Sequence, residues 1–252
     1  MTKLAAIYSV YDSEELLEGS IRQIREHVDV VIAVVQSKSN WGEFHDGGEK
    51  EAHRLNAIGL IDHIIDYYPY VWGDRLSGCK NETEKRKLGF NLAKLKGCTH
   101  YIHIDCDEYY FSDEFLKAKN WIIENNIEAS YCKIQAYVKY PTLALESLEG
   151  YYVPFICEIK EGLKHGFCEW PVLVDPTRKA THKNIKEAYI TMHHYTSIRK
   201  DIARKYRNSS AKQNFDIDSM LHDYAHIELK EGFGRKLVPN YFGIDVIQSE
   251  SI

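Results

Sequence analysis

The stretch Tyr101-Ile102-His103-Ile104-Asp105-Cys106-Asp107-Glu108 reads as a half-apolar strand that ends in two carboxylates two residues apart. In an extended chain residues i and i+2 share one face, so Asp105 and Asp107 are placed to address one hard cation, with Cys106 turned the other way into packing. Mg2+ and Mn2+ prefer oxygen ligands, keep several waters, and commonly bridge one or two carboxylates to substrate phosphates. Two acids also occur where a strand simply ends in a solvated turn, so the surrounding sequence has to decide between these readings.

Upstream, strand and helix patterns alternate, the signature of an α/β sheet with helices on its faces. Lys3 to Val10 reads as a first strand. A helix follows, with Asp12 and Glu15 as a capping box and Leu17, Ile21, Ile24 and Val28 as an apolar stripe. Asp29 to Gln36 is a continuous apolar run of the kind buried on both faces of a parallel sheet. A loop with Trp41 and Gly47-Gly48, a helix over 49–59 and a strand over 61–67 come next. Asn81 and Glu84 suggest a second capping box, opening a helix whose Leu88, Leu92 and Leu95 face the core and which Gly97 stops. This order puts Asp105 and Asp107 at the carboxyl end of a parallel strand, where open α/β sheets bind their ligands.

Downstream, Ser112 caps a helix running to about Asn126, and strand-like segments cover 129–140, 151–159, 171–174 and 187–193. Two helices, about 197–212 and 216–230, lead to a last strand pattern over 236–247. No composition break marks a linker, so 1–252 reads as one domain, with 1–110 as its first half and 111–252 as its second.

The 252 residues suffice for one large domain with a full core. An apolar fraction of 44% and a charged fraction of 27% exclude a disordered chain. The longest apolar run, Val28 to Val35, is too short to span a bilayer. Met1 leads directly into a strand pattern without a leader, so a cytoplasmic protein is expected. The six cysteines form no C-x-x-C pair and suit neither a zinc site nor a disulfide framework; they are expected to be reduced and mostly buried. A net charge of −5 argues against a globally basic nucleic-acid binder.

A second segment complements the acids: Ile190-Thr191-Met192-His193-His194-Tyr195-Thr196-Ser197-Ile198-Arg199-Lys200-Asp201-Ile202-Ala203-Arg204-Lys205. Imidazole is an acceptable Mn2+ ligand, and cations opening the following helix can reach the oxygens of a diphosphate. A metal–diphosphate site assembled from both segments is the expectation.

Together these features resemble the metal-dependent GT-A glycosyltransferases, near the large family 2 group. The resemblance rests on the first strand with Tyr11-Asp12-Ser13-Glu14-Glu15-Leu16-Leu17, then a helix carrying Glu84, Lys85, Arg86 and Asn91, then the Asp-x-Asp strand, and last the His-His-Tyr segment with Ser197 and its basic helix. It implies an α/β GT-A fold, a mostly parallel central sheet flanked by helices with further helices at the C-terminus. Residues 1–110 would bind a nucleoside-diphosphate sugar at the sheet's carboxyl edge, and 111–252 would face the acceptor. By the same resemblance Asp107 holds Mn2+ or Mg2+, Asp105 contacts the ribose or the metal through water, and His194, with His193 as substitute, completes the shell. Ser9, Val10, Tyr11 and Asp12 would line the base and ribose pocket, Arg86 would contact the donor, and Arg199, Lys200 or Lys205 the diphosphate. Glu108 would assist the metal or fix a loop.

The leaving diphosphate is where negative charge develops, and the ion and cations would stabilise it. For an inverting reaction a carboxylate deprotonates the acceptor hydroxyl. Glu169, beside Trp170, is the first candidate and Asp175 the second. The expected acceptor is a saccharide or lipid-linked glycan. The basic stretches 178–186 and 199–212, interleaved with aromatics, also admit a hydroxymethylated DNA base. Two other classes use the same acids: an Mg2+-dependent phosphatase or phosphotransferase, in which an aspartate attacks phosphorus, and a binding module that keeps the fold without turnover. The oligomeric state is not legible.

Overall fold

The computed structural model describes residues 2–71, 75–209, 212–214, 216–227, 231–232 and 235–239. Its first half runs β1 (Leu4–Val10), α1 (Glu14–Ile24), β2 (Val30–Val35), α2 (Gly47–Ala57), β3 (His63–Asp66), α3 (Arg75–Leu95) and β4 (His100–Asp105). The second half runs β5 (Glu108–Tyr109), α4 (Ser112–Glu124), β6 (Ala129–Val138), β7 (Leu143–Leu145), β8 (Val153–Glu158), β9 (Ile185–Ser197), α5 (Ile202–Asn208), α6 (Ile217–Ala225), β10 (Glu231–Gly232) and β11 (Arg235–Pro239).

Strands β3, β2, β1 and β4 are parallel neighbours in that order. β4 then meets β8 antiparallel, and β8 leads through β6 to the smaller antiparallel strands β7, β11 and β10. β9 lies parallel to β6 and antiparallel to β5. The α/β fold expected from the sequence, with a parallel first half flanked by helices, is the fold observed. All six residues of β2 are buried, as its unbroken Val/Ile/Ala run requires of a strand covered on both faces. One covering layer comes from α1, α2 and α4 through Leu17, Ile21, Leu55, Phe115 and Ile122. The other comes from α3 through Phe90 and Ala93. A Cβ on Gly89 would fall 2.2 Å from Ile7 Cγ2, so α3 lies against β1 at a distance only glycine permits. Among the described residues no helix is long and apolar enough to cross a membrane.

Several local expectations are corrected. The Asp12/Glu15 capping box does not form: Ser13 is the N-cap of α1, in the left-handed region at φ 90°, and its carbonyl accepts from Leu16 N and Leu17 N. The helix expected to open at Asn81 already begins at Arg75. Asn81 is interior and buried, because its amide serves Tyr67 Oη and the backbone of Tyr70 instead of a helix end. Of the three leucines expected on the inner face of α3, Leu92 packs against the core, but Leu88 and Leu95 are exposed, whereas Lys85, Arg86 and Phe90 are buried. Ser112 is the first residue of α4, with Phe111 as N-cap. Residues 171–174 make only an isolated bridge, Tyr152 with Val174. The helix expected over 197–212 is preceded by strand to Ser197 and shortened to Ile202–Asn208. Of the last strand pattern, 236–239 lies within β11, and 240–247 falls outside the described residues. All six cysteines are free, four of them buried.

Candidate active site

β1, β2 and β4 end at one edge of the sheet, and the segments leaving them wall a cavity of about 450 Å³. The wall includes Ser9, Tyr11 and Asp12 after β1, Gln36, Ser39 and Asn40 after β2, and Asp105 through Glu108 at the end of β4. Glu82, Lys85 and Arg86 enter from α3, Asp175 to Arg178 from the loop before β9, His194 and Thr196 from β9, and Lys205, Asn208 and Ser209 from α5 and its exit. The volume falls within the range of small-molecule sites.

The strand ends at Asp105, and Cys106-Asp107 form a turn. The two aspartates reach the cavity through that turn and not as alternate residues of one extended face. They have separate partners. Asp105 accepts from Arg178 Nη2 at 2.6 Å and Arg86 Nη2 at 3.2 Å. Burial raises the Asp105 carboxyl, but Arg178 and Arg86 outweigh it and hold it below the ordinary carboxylate range. Asp107 is 3% exposed and receives two cations on Oδ2, Arg199 Nη2 at 2.7 Å and Lys205 Nζ at 3.2 Å. Burial again opposes ionisation, and Lys205, Arg199 and His194 together keep this carboxyl well below its usual range.

Strand pairing selects between the two histidines. Antiparallel pairing of β5 with β9 sets His194 opposite Glu108, and Tyr195 N donates to Asp107 O at 2.8 Å. His194 therefore lines the cavity, with Nε2 3.9 Å from Asp107 Oδ1. Its neighbour His193 points to the opposite side of the strand, where Nδ1 meets Tyr137 Oη at 2.9 Å and the ring packs on Phe111. Burial, opposed by Asp107, holds His194 below the ordinary imidazole value, which keeps the ring neutral and able to ligate.

Two ligand atoms at about 2.1 Å from one ion lie no more than about 4.2 Å apart. Asp107 Oδ1 and His194 Nε2 satisfy that limit, and both cations on Asp107 sit on the other oxygen. The pair fits a divalent ion. Asp105 instead receives Arg86 and Arg178 on its oxygens. Among the described residues, three side chains already gathered at metal-like spacing occur elsewhere: Glu49, His53 and Asp66, with the last two exposed.

Arg178, which sequence reasoning placed in a stretch that could meet a polyanion, is instead central to the site. It is 4% exposed and forks onto Glu108, donating from Nη1 at 2.8 Å and Nη2 at 2.5 Å, besides reaching Asp105. Burial lifts the Glu108 carboxyl against the pull of Arg178. Arg178 is positioned by the turn Asp175-Pro176-Thr177, in which Asp175 Oδ1 accepts from Thr177 N at 2.8 Å. An Asp-Pro-Thr turn was readable in the sequence, but nothing local said that the arginine after it points inward.

The remaining predicted residues divide. Ser9, Tyr11, Asp12, Arg86, Asp175 and Lys205 line the cavity. Val10 is buried in the core beneath it. Arg199 reaches the site through Asp107, fixed by Nη1 donating to the carbonyls of Tyr195 and Ile198. Lys200 is exposed, with its backbone N–H on Glu15 Oε1. Glu169 is exposed and stands outside the cavity wall. Gln36, Ser39, Asn40 and Tyr151 line the cavity without having been singled out, because uncharged polar and tyrosine residues in loops carry no signal of their own.

No protein-family model matches the sequence, and no curated protein does. Solved structures similar to the chain include S. aureus TarS 1-349, at 15% identity over 58% of this chain and 42% of that one, with a TM-score of 0.39. The same TarS fragment in complex with UDP-GlcNAc shows 15% identity over 54% and 35% of the two chains, with a TM-score of 0.39. GalNAc-T7 with UDP, GalNAc and Mn2+ shows 11% identity over 54% and 24%, with a TM-score of 0.40. The chain thus spans between 22% and 42% of the lengths of the TarS chains it resembles.

Proposed function

We propose that this protein is a GT-A glycosyltransferase that moves a sugar from a nucleoside-diphosphate sugar to an acceptor hydroxyl with the help of Mn2+ or Mg2+. The observation that supports this most is the convergence of Asp107 and His194 on one cavity at the carboxyl edge of parallel strands, with Arg86 and Lys205 beside them. In this reading residues 1–110 hold the donor and 111–252 face the acceptor. Ser9, Tyr11 and Asp12 cradle the base and ribose. Asp107 Oδ1 and His194 Nε2 would hold the ion, which supplies positive charge against the diphosphate oxygens when bound. Arg86 and Lys205 add donors where charge develops as the sugar–phosphate bond breaks. Asp105 and Glu108 hold Arg178 and Arg86 in place, so these guanidiniums meet the diphosphate without reorganising. Of the two candidate bases, Asp175 lines the cavity, where Thr177, Arg86 and Arg178 surround it, and Glu169 lies outside; in this reading Asp175 would take the acceptor proton.

A phosphotransferase that attacks through Asp105 is disfavoured, because two arginines occupy that carboxylate. A polyanion on 178–186 would meet only lysines, since Lys183 and Lys186 are exposed whereas Arg178 and His182 are buried. A saccharide or lipid-linked glycan is the acceptor class we favour.

The test is a screen of nucleotide sugars for donor hydrolysis with Mn2+, with Mg2+ and with chelator. Metal-dependent release of nucleoside diphosphate supports the proposal. Full activity in chelator, or no release from any donor, would overturn it.

A further inference from the structure

Asp107 carries one negative charge and is already met by two positive ones on the same oxygen. The two are not held alike. Arg199 is 9% exposed and tied to two backbone carbonyls, so it has no freedom to leave. Lys205 approaches from the short helix α5 on a four-carbon stem, keeps 23% of its side chain exposed, and lines the cavity. Its neighbour Arg204 points elsewhere, to Glu14 Oε1. On the opposite oxygen, His194 stands at 3.9 Å with room for an ion between. A divalent ion entering there would face both cations across a single carboxylate in a largely buried site, where like charges repel strongly. A diphosphate arriving with it would offer the ammonium a new partner.

We infer that Lys205 is a tethered cation that competes with the divalent ion for Asp107 while the donor is absent and passes to the diphosphate when ion and donor bind together. This deepens the proposed function and rests on it. One consequence is that the ion alone binds weakly, and ion and nucleotide strengthen one another by the same factor, as linkage demands. The charge of Lys205 then sets that coupling.

The test is the affinity for Mn2+ alone, without nucleotide, read from the free-ion paramagnetic resonance signal. Lys205→Met should bind Mn2+ at least about tenfold more tightly than the unaltered protein, since it removes one like charge from a buried site. Lys205→Arg, which keeps the charge, should stay weak, and Lys117→Met on the exposed face of α4 should change nothing. Melting curves confirm that each variant is folded, and Lys205→Gln serves if the Met variant is not. Equal or weaker Mn2+ binding by the neutral variants, including none detectable, would overturn the inference. If that result came with metal-dependent donor hydrolysis by the unaltered protein, the inference alone would fail. Tighter Mn2+ binding with no nucleotide sugar hydrolysed would keep the competition and sink the transferase reading.

Discussion

Replacing Arg178 by Met should be among the most damaging single changes to the stability of this fold. The guanidinium is 3% exposed in its side chain and gives two hydrogen bonds to Glu108, one to Asp105 and one to the carbonyl of His103. Glu108 is equally buried, so removing the arginine leaves a carboxylate without its partner away from water. Breaking a buried pair from one side costs roughly 3–5 kcal/mol. For a domain of this size that lowers the melting temperature by on the order of 6–20 °C. Burial already lifts Glu108 above the ordinary carboxyl range, and without Arg178 the main charge opposing it is gone. A carboxyl raised on folding stabilises below its unfolded pKa and loses that contribution as pH rises through the folded value. The deficit of Arg178→Met should accordingly be smallest near pH 5 and grow toward pH 8. The double variant Arg178→Met with Glu108→Leu removes both charges and should recover all but about 1–2 kcal/mol, the remainder reflecting the Asp105 N–H left without Glu108 and the Asp105 carboxylate and His103 carbonyl left without Arg178. Urea unfolding followed by circular dichroism at several pH values measures all of this. A loss below about 1 kcal/mol in the single variant, or a double variant no more stable than the single, would show that Glu108 does not depend on Arg178 for its burial.

Other changes probe separate parts of the account. Asp107→Asn keeps the shape of the turn but loses the charge that meets Arg199, Lys205 and the ion, so donor hydrolysis should fall by at least about a hundredfold while the protein stays folded; near-normal turnover would contradict this. His194→Ala should sharply reduce activity and weaken Mn2+ binding, whereas His193→Phe, on the other side of the strand, should leave metal affinity unchanged in a titration. Gly89→Ala drives a Cβ to 2.2 Å from Ile7 Cγ2 and should cost about 1–3 kcal/mol in chemical unfolding by forcing α3, and Arg86 with it, off β1. Burial, then His182 and Lys87, hold His165 down at about 4. Between about pH 6.5 and 4 the unfolded chain therefore takes up a proton there that the folded one refuses, and stability falls as pH drops through that window. His165→Phe should flatten the fall by up to about one proton; an unchanged slope would count against it.

The α/β architecture was legible because its strands are written as unbroken apolar runs, and β2 leaves no other reading. The acid pair was legible as a pair, but its division between two sets of cations was not. That division depends on Arg178 arriving from 73 residues beyond Asp105 and on Arg199 and Lys205 arriving from later still. The choice between His193 and His194 turns on which alternate face of β9 meets β5, and pairing parity is absent from the sequence. α3 misled for a related reason. A helix whose inner face looks partly at the charged site buries Lys85 and Arg86 there, so the leucine spacing no longer marks its inside. Glu169 was attractive for its aromatic neighbour, yet Trp170 donates Nε1–H to Ala180 O at 3.0 Å while the acid beside it faces solvent.

Whether Asp107 and His194 hold a divalent ion beside the donor can be seen by diffraction from crystals soaked with Mn2+ and a nucleoside diphosphate, using the anomalous signal of manganese. A manganese peak is expected between Asp107 Oδ1 and His194 Nε2, with the diphosphate on its open side and Lys205 turned toward the phosphate oxygens. A peak at Glu49, His53 and Asp66 with none beside His194, or a nucleotide bound away from the carboxyl edge of β1 and β4, would contradict it.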